Sequence, residues 1–210
     1  MLEDVSAISA IIENRKAVSP QRALLVGISG IDAAGKGFVT ARIAESLEKR
    51  GKNVAVINVD GWLNLSHVRF HWSDPARHFY DNAIRFDEMF EGVVLPLRDT
   101  RNVNVESDFA EETATTFRKR RYAFRDIDVV LVEGIFLFKP TYRRHFDLTI
   151  WVDCSFETAL KRATTRCQEG LPAAETIEAF DTIYFPAQRI HLARDNPCEA
   201  ADIVLTNDNL

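Results

Sequence analysis

The sequence has few of the features that mark secreted, membrane-spanning or metal-clustering proteins. Its three cysteines, Cys154, Cys167 and Cys198, are an odd number without C-x-x-C spacing, which predicts neither a disulfide framework nor a zinc site. No apolar run approaches the ~20 residues that a membrane-spanning helix needs. Acidic residues at Glu3 and Asp4 argue against a secretory signal. We therefore expect a soluble, cytoplasmic protein with reduced thiols and no membrane partner.

The sequence also has no excess of positive charge. The chain has 26 lysines and arginines against 31 aspartates and glutamates, a formal net charge of −5, which argues against general nucleic-acid binding. The five histidines lack ligand spacing such as H-x-x-x-H, so no histidine metal site is expected. With 210 residues, 46% of them hydrophobic, the sequence predicts a single domain over residues 1–210 with an ordinary core.

The most informative stretch is residues 24–40, which read LLVGISGIDAAGKGFVT. An apolar strand pattern leads into a glycine-bracketed loop, and a helical pattern follows. The loop nearly satisfies G-x-x-x-x-G-K-[ST], in which backbone N–H groups surround phosphate oxygens and the lysine reaches the β- and γ-phosphates. This order predicts a nucleoside triphosphate site rather than a bare glycine-rich turn. The predicted nucleotide-contacting residues are Gly30, Asp32, Ala33, Ala34, Gly35, Lys36, Gly37 and Phe38.

One position departs from this motif. Gly37 stands where a serine or threonine hydroxyl usually touches Mg²⁺. A water molecule can replace that hydroxyl, because Mg²⁺ keeps several waters in nucleotide sites. Thr40 lies one helical turn further on, and we do not assign it as a ligand.

Apolar strand patterns alternate with helical patterns along most of the chain, which predicts an α/β doubly wound domain with a mostly parallel five-stranded sheet. The predicted strands cover residues 24–28, 54–59, 127–132, 146–152 and 203–205. The predicted helices cover residues 3–17, 86–97, 140–145, 155–166 and 173–183, together with the helix after the glycine loop and, beyond a break at residues 184–186, a further helix that carries Gln188, Arg189 and His191.

Residues 61–126 interrupt this alternation with polar, aromatic and irregular sequence. The segment connects carboxyl ends of predicted parallel strands with far more chain than a crossover needs. We therefore interpret it as an acceptor-binding insertion. Residues 103–105 and 115–117 are expected to form a hairpin or flap within it. Arg69 and His78 are candidate substrate contacts, although a packing or surface role for His78 is the alternative.

Two acidic residues follow predicted strands at the edge where the glycine loop also lies. Phosphoryl transfer to an alcohol needs a group that accepts the hydroxyl proton and a carboxylate near Mg²⁺. Asp60 suits the first role and can also lie near the metal, and Glu133 suits the second. The alternatives are an Asp-Gly turn at Asp60 and a capping role for Glu133.

Arginines supply the remaining candidate groups. Arg162 and Arg166 are four residues apart on one predicted helix and therefore share a face, where they would clamp a transferring phosphoryl group or remain solvated. The basic run at residues 118–121 is interpreted as a solvated edge, with phosphate or nucleotide contact as the alternative.

These residues together resemble the uridine kinase/phosphoribulokinase group of P-loop kinases, and uridine kinase-like members most closely. The similarity covers residues 22–208 and includes the glycine loop, Asp60, Tyr80-Asp81, the segment 132–136, the arginine pair and the segment 201–204. The resemblance implies a three-layer P-loop fold, with Asp60 as catalytic base and Arg162 and Arg166 as lid arginines.

The same resemblance implies ATP- and Mg²⁺-dependent phosphorylation of a small alcohol, commonly the 5′-hydroxyl of a pyrimidine ribonucleoside. Asp81 matches an aspartate that holds ribose hydroxyls, with Tyr80 beside it; a helix-capping role is the alternative. The chain departs from the family at Cys167 and at residues 168–172, where an aspartate and a basic tract are usual. We still expect residues 155–172 to act as a lid.

The sequence thus predicts an ATP-dependent nucleoside kinase. Two alternatives stay open: a kinase for pantothenate, a sugar or a sugar phosphate, and a nucleotide-binding regulator without transfer activity. A sugar phosphate would need extra cations, for which Arg69, Arg77 and Arg85 are available. A homo-oligomer is left open.

Overall fold

The structure is a computed structural model that describes residues 2–166 and 172–208. The side chains of Leu2, Glu3 and Arg166 are not part of this description. The departure from the family pattern at Cys167, the segment after it and the end of the predicted lid therefore lie outside the described residues. The predicted role of the Arg166 side chain lies outside them as well.

The described residues form a parallel five-stranded sheet and a separate antiparallel hairpin, as the sequence predicts. The sheet order is β2-β5-β1-β6-β7, and β3 pairs with β4. Every residue of β1 and β5 is buried, because both faces of these central strands are covered. The strands are β1 Leu24–Ser29, β2 Val54–Asn58, β3 Val103–Phe109, β4 Arg118–Phe124, β5 Val129–Gly134, β6 Leu148–Asp153 and β7 Ile203–Thr206.

Helices cover both faces of the sheet. Helix α1 packs on α2, and α2 lies against β1, β2 and β5. The helices are α1 Leu2–Val18, α2 Lys36–Lys49, α3 Ser66–Arg69, α4 Pro75–Asn82, α5 Phe86–Met89, α6 Leu95–Thr100, α7 Pro140–Arg143, α8 Phe156–Arg166, α9 Ala173–Ala179 and α10 Phe185–Asp195. No helix among the described residues is long and apolar enough to cross a membrane.

Two helical runs contain a wider π-helical segment. Phe90–Val94 joins α5 to α6, and Phe180–Tyr184 joins α9 to α10. In each run a proline, Pro96 or Pro186, follows two residues after the π segment. Proline has no backbone N–H and its ring crowds the preceding turn, so a widened turn relieves the conflict without ending the helix. The break that the sequence indicates near residue 184 is therefore a π segment within one continuous helical run.

The hairpin is present, but its second strand lies later than expected. Residues 115–117 belong to the connection between the strands, and the basic run at 118–121 forms most of β4. Strand alternation is weak there because the hairpin exposes most of its side chains to solvent. Cross-strand pairing supplies stability instead, as in the ion pair between Lys119 and its register partner Asp108, 2.7 Å apart.

Candidate active site

The glycine loop is tightly wound between β1 and α2. Ala33 and Gly35 both have left-handed backbone conformations, with φ of 56° and 91°. A Cβ atom at Gly35 would lie 2.4 Å from the Asn207 amide nitrogen, so only glycine fits there. Lys36 Nζ donates to the Ile31 carbonyl oxygen at 2.9 Å, which holds the ammonium over the loop. The backbone therefore has the concave form that binds phosphate groups.

Side chains from distant parts of the chain support this loop from behind. The Ala34 carbonyl accepts hydrogen bonds from Asn207 Nδ2 at 2.6 Å and from Arg162 Nη1 at 3.4 Å. Arg162 Nη2 also donates to the Asn207 carbonyl at 2.6 Å. Gln188 Nε2 donates to Asp32 Oδ2 at 2.9 Å. Arg162 thus contacts the loop itself, and sequence reasoning did not select Asn207 or Gln188.

The two predicted carboxylates are linked by a third side chain, Asn58. Glu133 on β5 is the register partner of Asn58 on β2, and Asn58 Nδ2 donates to Glu133 Oε1. Asn58 Oδ1 accepts from the Asp60 backbone N–H at 2.7 Å, which fixes the short 3₁₀ turn that carries Asp60. Because one amide contacts both neighbours, the positions of Asp60 and Glu133 are coupled. Sequence reasoning selected the acidic pair but not this amide.

A cavity of about 610 Å³ joins the loop, the carboxylates and the predicted insertion. The insertion contributes aromatic rings, two glutamates and two arginines to its wall. The π segment before α10 contributes two further rings. The loop side is lined by Asp32, Ala33, Gly35, Lys36, Gly37, Phe38, Asn58, Asp60 and Glu133; the other side includes Leu63, Arg69, Phe79, Phe109, Glu111, Glu112, Arg120, Tyr122, Phe180 and Tyr184.

The sequence profile of the phosphoribulokinase/uridine kinase family matches residues 25–169, more than half of the chain. The chain belongs to this family. The match includes the loop, both carboxylates and the residues of the insertion that line the cavity, so the geometry above is that of a P-loop kinase of small molecules. A comparison with curated proteins gives no match.

Solved structures support the kinase fold. A possible uridine kinase from Bacillus stearothermophilus has a TM-score of 0.73 at 20% identity, covering 97% of this chain and 98% of that one. A protein provisionally assigned as a fructose transport system kinase, from Silicibacter sp. TM1040, gives 0.75 at 17% identity, with 95% and 98% covered. D-glycerate 3-kinase from Cryptococcus neoformans gives 0.64 at 11%, with 88% and 87% covered. At these identities the likeness shows the fold alone.

Three of the four predicted acceptor contacts of this kinase do not line the cavity. Tyr80 is buried and donates its hydroxyl to Asp195 at 2.5 Å. Burial and this hydrogen bond raise the pKa of Tyr80. Asp81 forms an ion pair with Arg77 on the exposed face of α4, 2.7 Å apart. His78 Nε2 contacts the Val68 carbonyl at 2.7 Å. Helix α4 therefore turns these side chains toward the protein core or the solvent.

Arg69 is the fourth predicted contact, and it does line the cavity. Of the other two arginines offered for a sugar phosphate, Arg77 is engaged by Asp81, and Arg85 donates to the carbonyls of Leu63 and Asp108. The insertion supplies Arg120 and Tyr122 instead. Sequence reasoning placed Arg120 within a solvated edge and did not select Tyr122. Their position became visible only from the β3–β4 register.

The kinase family implies Mg²⁺, and the oxygen donors present suit it. A Cβ atom at Gly37 would lie 3.9 Å from Glu133 Oε1, so the position of the missing hydroxyl faces this carboxylate. Among the described residues no group of three or more histidine, cysteine, aspartate or glutamate side chains forms a protein-only metal cluster. Mg²⁺ takes few protein ligands and completes its shell with phosphates and waters, so it needs no such cluster.

Proposed function

We propose that this kinase transfers the γ-phosphoryl group of ATP to an alcohol group of a small molecule in the cytosol. One observation carries the proposal: a single cavity is lined by the phosphate loop with Lys36 and by Asp60 and Glu133, at the ends of neighbouring strands. Phosphoryl transfer requires positioning and charge stabilisation, and these groups supply both.

Each residue has a distinct role in this proposal. Lys36 exchanges its bond to the Ile31 carbonyl for β- and γ-phosphate oxygens, while the loop N–H groups hold the same phosphates. Asp60 accepts the proton of the attacking hydroxyl and orients its oxygen toward the γ-phosphorus. Glu133 and Asp60 would hold Mg²⁺, which neutralises negative charge on the phosphates when it is bound. Residues 155–166, the described part of the predicted lid, would close over the site and exclude water.

Two acceptor classes are compatible with this chemistry. The aromatic lining, including Phe79, Phe109 and Tyr184, favours a nucleoside, because a planar base stacks on such rings. Tyr80 and Asp81 were expected to contact the ribose of a nucleoside. Both side chains point away from the cavity, so they do not favour this class of acceptor. The cavity arginines favour a second candidate, a small alcohol that carries negative charge.

The test combines an ADP-release screen with an Asp60→Asn variant. Nucleosides, pantothenate, sugars and sugar phosphates are each supplied with ATP and Mg²⁺, and one class is expected to stimulate ADP release. Asp60→Asn should then lower turnover at least ~10²-fold while ATP affinity is retained, because a general base typically contributes that much.

Asp81→Asn is the matched control, since it makes the same chemical change outside the cavity. Full activity of Asp60→Asn would remove Asp60 from the mechanism. ATP binding without ADP release for any acceptor would favour the nucleotide-binding regulator, the reading to which Gly37 points.

A further inference from the structure

Arg120 differs from its neighbours in the basic run of β4. Arg118 forms an ion pair with Glu111, Lys119 forms one with Asp108, and Arg121 Nε donates to Asn104 Oδ1 at 2.9 Å. Arg120 has no hydrogen bond or ion pair with any residue that the structure describes. It is also the one member of the run that lines the cavity.

Aromatic rings hold the Arg120 guanidinium in place. Its Cζ lies 4.9 Å from the centre of the Phe109 ring and 5.5 Å from that of Tyr122. Both rings line the same cavity. Cation–π contacts restrain a guanidinium without using its N–H donors. The donors of Arg120 therefore remain available to a ligand.

Arg69 provides a second, independent observation. Its residue surface is 2% exposed, and its Nε has no hydrogen-bond partner. Nη2 donates to the main-chain oxygen of Glu112, and the Phe70 ring lies 5.0 Å from Cζ. A buried guanidinium with an unmade hydrogen bond is costly, so a structural arginine is normally paired more completely. This arginine lines the cavity, where a ligand can supply the missing partner.

Negative charge on this side of the cavity is limited. Glu111 forms an ion pair with Arg118. Glu112 is the other carboxylate that the insertion contributes to the cavity wall. On the loop side Asp32 accepts from Gln188, and Glu133 accepts from Asn58. The part of the cavity wall formed by the insertion thus carries two guanidinium groups, those of Arg69 and Arg120, and one carboxylate, that of Glu112, which is not paired with Arg118.

We infer that the phosphate acceptor carries an anionic group, a carboxylate or a phosphate, that binds Arg69 and Arg120 while its alcohol lies at Asp60. This inference rests on the proposed kinase function and narrows its substrate class. Guanidinium groups bind carboxylate and phosphate oxygens through paired hydrogen bonds. Two arginines from different elements hold such a group from two sides and thereby orient the alcohol.

The experiment compares acceptors that differ in one anionic group. Glycerate is paired with glycerol, pantothenate with panthenol, ribose 5-phosphate with ribose and fructose 6-phosphate with fructose, with uridine as a neutral reference. ADP release is measured for each with ATP and Mg²⁺. We expect release with the anionic member of a pair at a kcat/KM at least tenfold above that of its neutral partner, and the carboxylate and phosphate arms identify which anion is used.

The variants Arg120→Gln and Arg121→Gln form a matched pair on one strand. Arg120→Gln should raise the KM of the anionic acceptor about tenfold and leave the KM of ATP unchanged, whereas Arg121→Gln should change neither. Arg69→Lys keeps the charge and removes the planar fork, and should raise the same KM. Arg120→Gln keeps the inference testable even where a change at buried Arg69 prevents folding.

The possible results distinguish failure of the anionic-acceptor inference from failure of the proposed kinase function. ADP release with uridine or another neutral acceptor, at a kcat/KM equal to that of the anionic compounds, overturns the inference and keeps the kinase. An unchanged acceptor KM in Arg120→Gln also overturns it. Silence with every acceptor, while ATP still binds, rejects the kinase function itself.

Discussion

Position 37 lies in the first turn of α2, where a hydroxyl would face Glu133. Its Cβ would meet no atom closer than 3.9 Å, so a larger side chain fits without strain. We predict that Gly37→Ser gains a hydroxyl ligand for Mg²⁺ and lowers the half-saturating Mg²⁺ concentration several-fold. Mg²⁺ titration of ADP release measures this. Gly37→Ala is the control, because it adds the Cβ without the hydroxyl, and an equal effect of both variants would contradict the prediction.

Asn58 is the residue whose loss tests the coupling between the two carboxylates. We predict that Asn58→Ala removes one restraint on Glu133 and one on the turn that carries Asp60. Turnover should fall tenfold or more, and the half-saturating Mg²⁺ concentration should rise. Turnover and Mg²⁺ titration are measured together with thermal stability. Asn53→Ala is the control, since Asn53 precedes the other end of β2 and its side chain donates to the Asp126 carbonyl. A loss of stability alone, with unchanged Mg²⁺ affinity, would make Asn58 merely structural.

Sequence reasoning selected residues whose position follows from local order. The loop before Lys36 follows β1, and Asp60 and Glu133 lie at the ends of β2 and β5; the parallel sheet brings these ends to one edge. No local sequence pattern predicts that Asn207 and Gln188 contact the loop, because these contacts span 173 and 156 positions along the chain. Such contacts depend on tertiary packing, so a single sequence does not reveal them.

At the scale of elements, α4 and α10 are joined by a buried polar group. Asp195 accepts hydrogen bonds from Tyr80 at 2.5 Å and His191 Nδ1 at 2.6 Å. Burial alone would raise the pKa of Asp195, but these two bonds outweigh it and lower the pKa. Lys139 Nζ donates to the Tyr80 carbonyl at 2.6 Å, and burial lowers its pKa to about 8. The cluster fixes α4, which carries the cavity residue Phe79.

The buried histidine of this cluster makes stability depend on pH. Burial lowers the pKa of His191, against the opposing effect of Asp195. The unfolded chain therefore binds the proton more readily near pH 6.5, and the free energy of unfolding falls as pH decreases below that value, by at most about 1.4 kcal/mol per pH unit. We predict that His191→Gln flattens this dependence in urea unfolding between pH 7 and pH 5. Exposed His67→Gln should leave it unchanged, and a parallel slope in both variants would reject the prediction.

The ends of the elements with strong apolar patterns were predicted to within about two residues. The directions of the side chains on α4 were not predicted. The central strands are buried on both sides, so their sequence must be apolar whatever surrounds them. In α4 the direction of Tyr80 depends on Asp195, which lies 115 positions away. A helix sequence gives the periodicity of its side chains, but the partner that each side meets is set by the fold.

At the scale of the molecule, binding of a nucleotide at the glycine loop should raise the free energy of unfolding of the whole chain. Residues from α2, α8, α10 and the segment after β7 all contact it, so a ligand that binds the loop stabilises much of the chain. Binding to the folded state at 100 times Kd contributes about 2.7 kcal/mol. For a chain of this size that corresponds to an increase in Tm of roughly 5–10 °C.

We therefore predict that saturating ATP with Mg²⁺ raises the Tm of the wild-type chain and that Asp60→Asn keeps most of this increase, because the loop, Lys36 and Glu133 are unchanged. Lys36→Ala should lose most of the increase, because the ammonium neutralises the β- and γ-phosphates. Differential scanning fluorimetry measures all three proteins. Equal shifts in Lys36→Ala and the wild type would show that the nucleotide binds elsewhere. A shift lost in Asp60→Asn would show that Asp60 holds the nucleotide complex itself, and the expected separation between binding and proton transfer would fail.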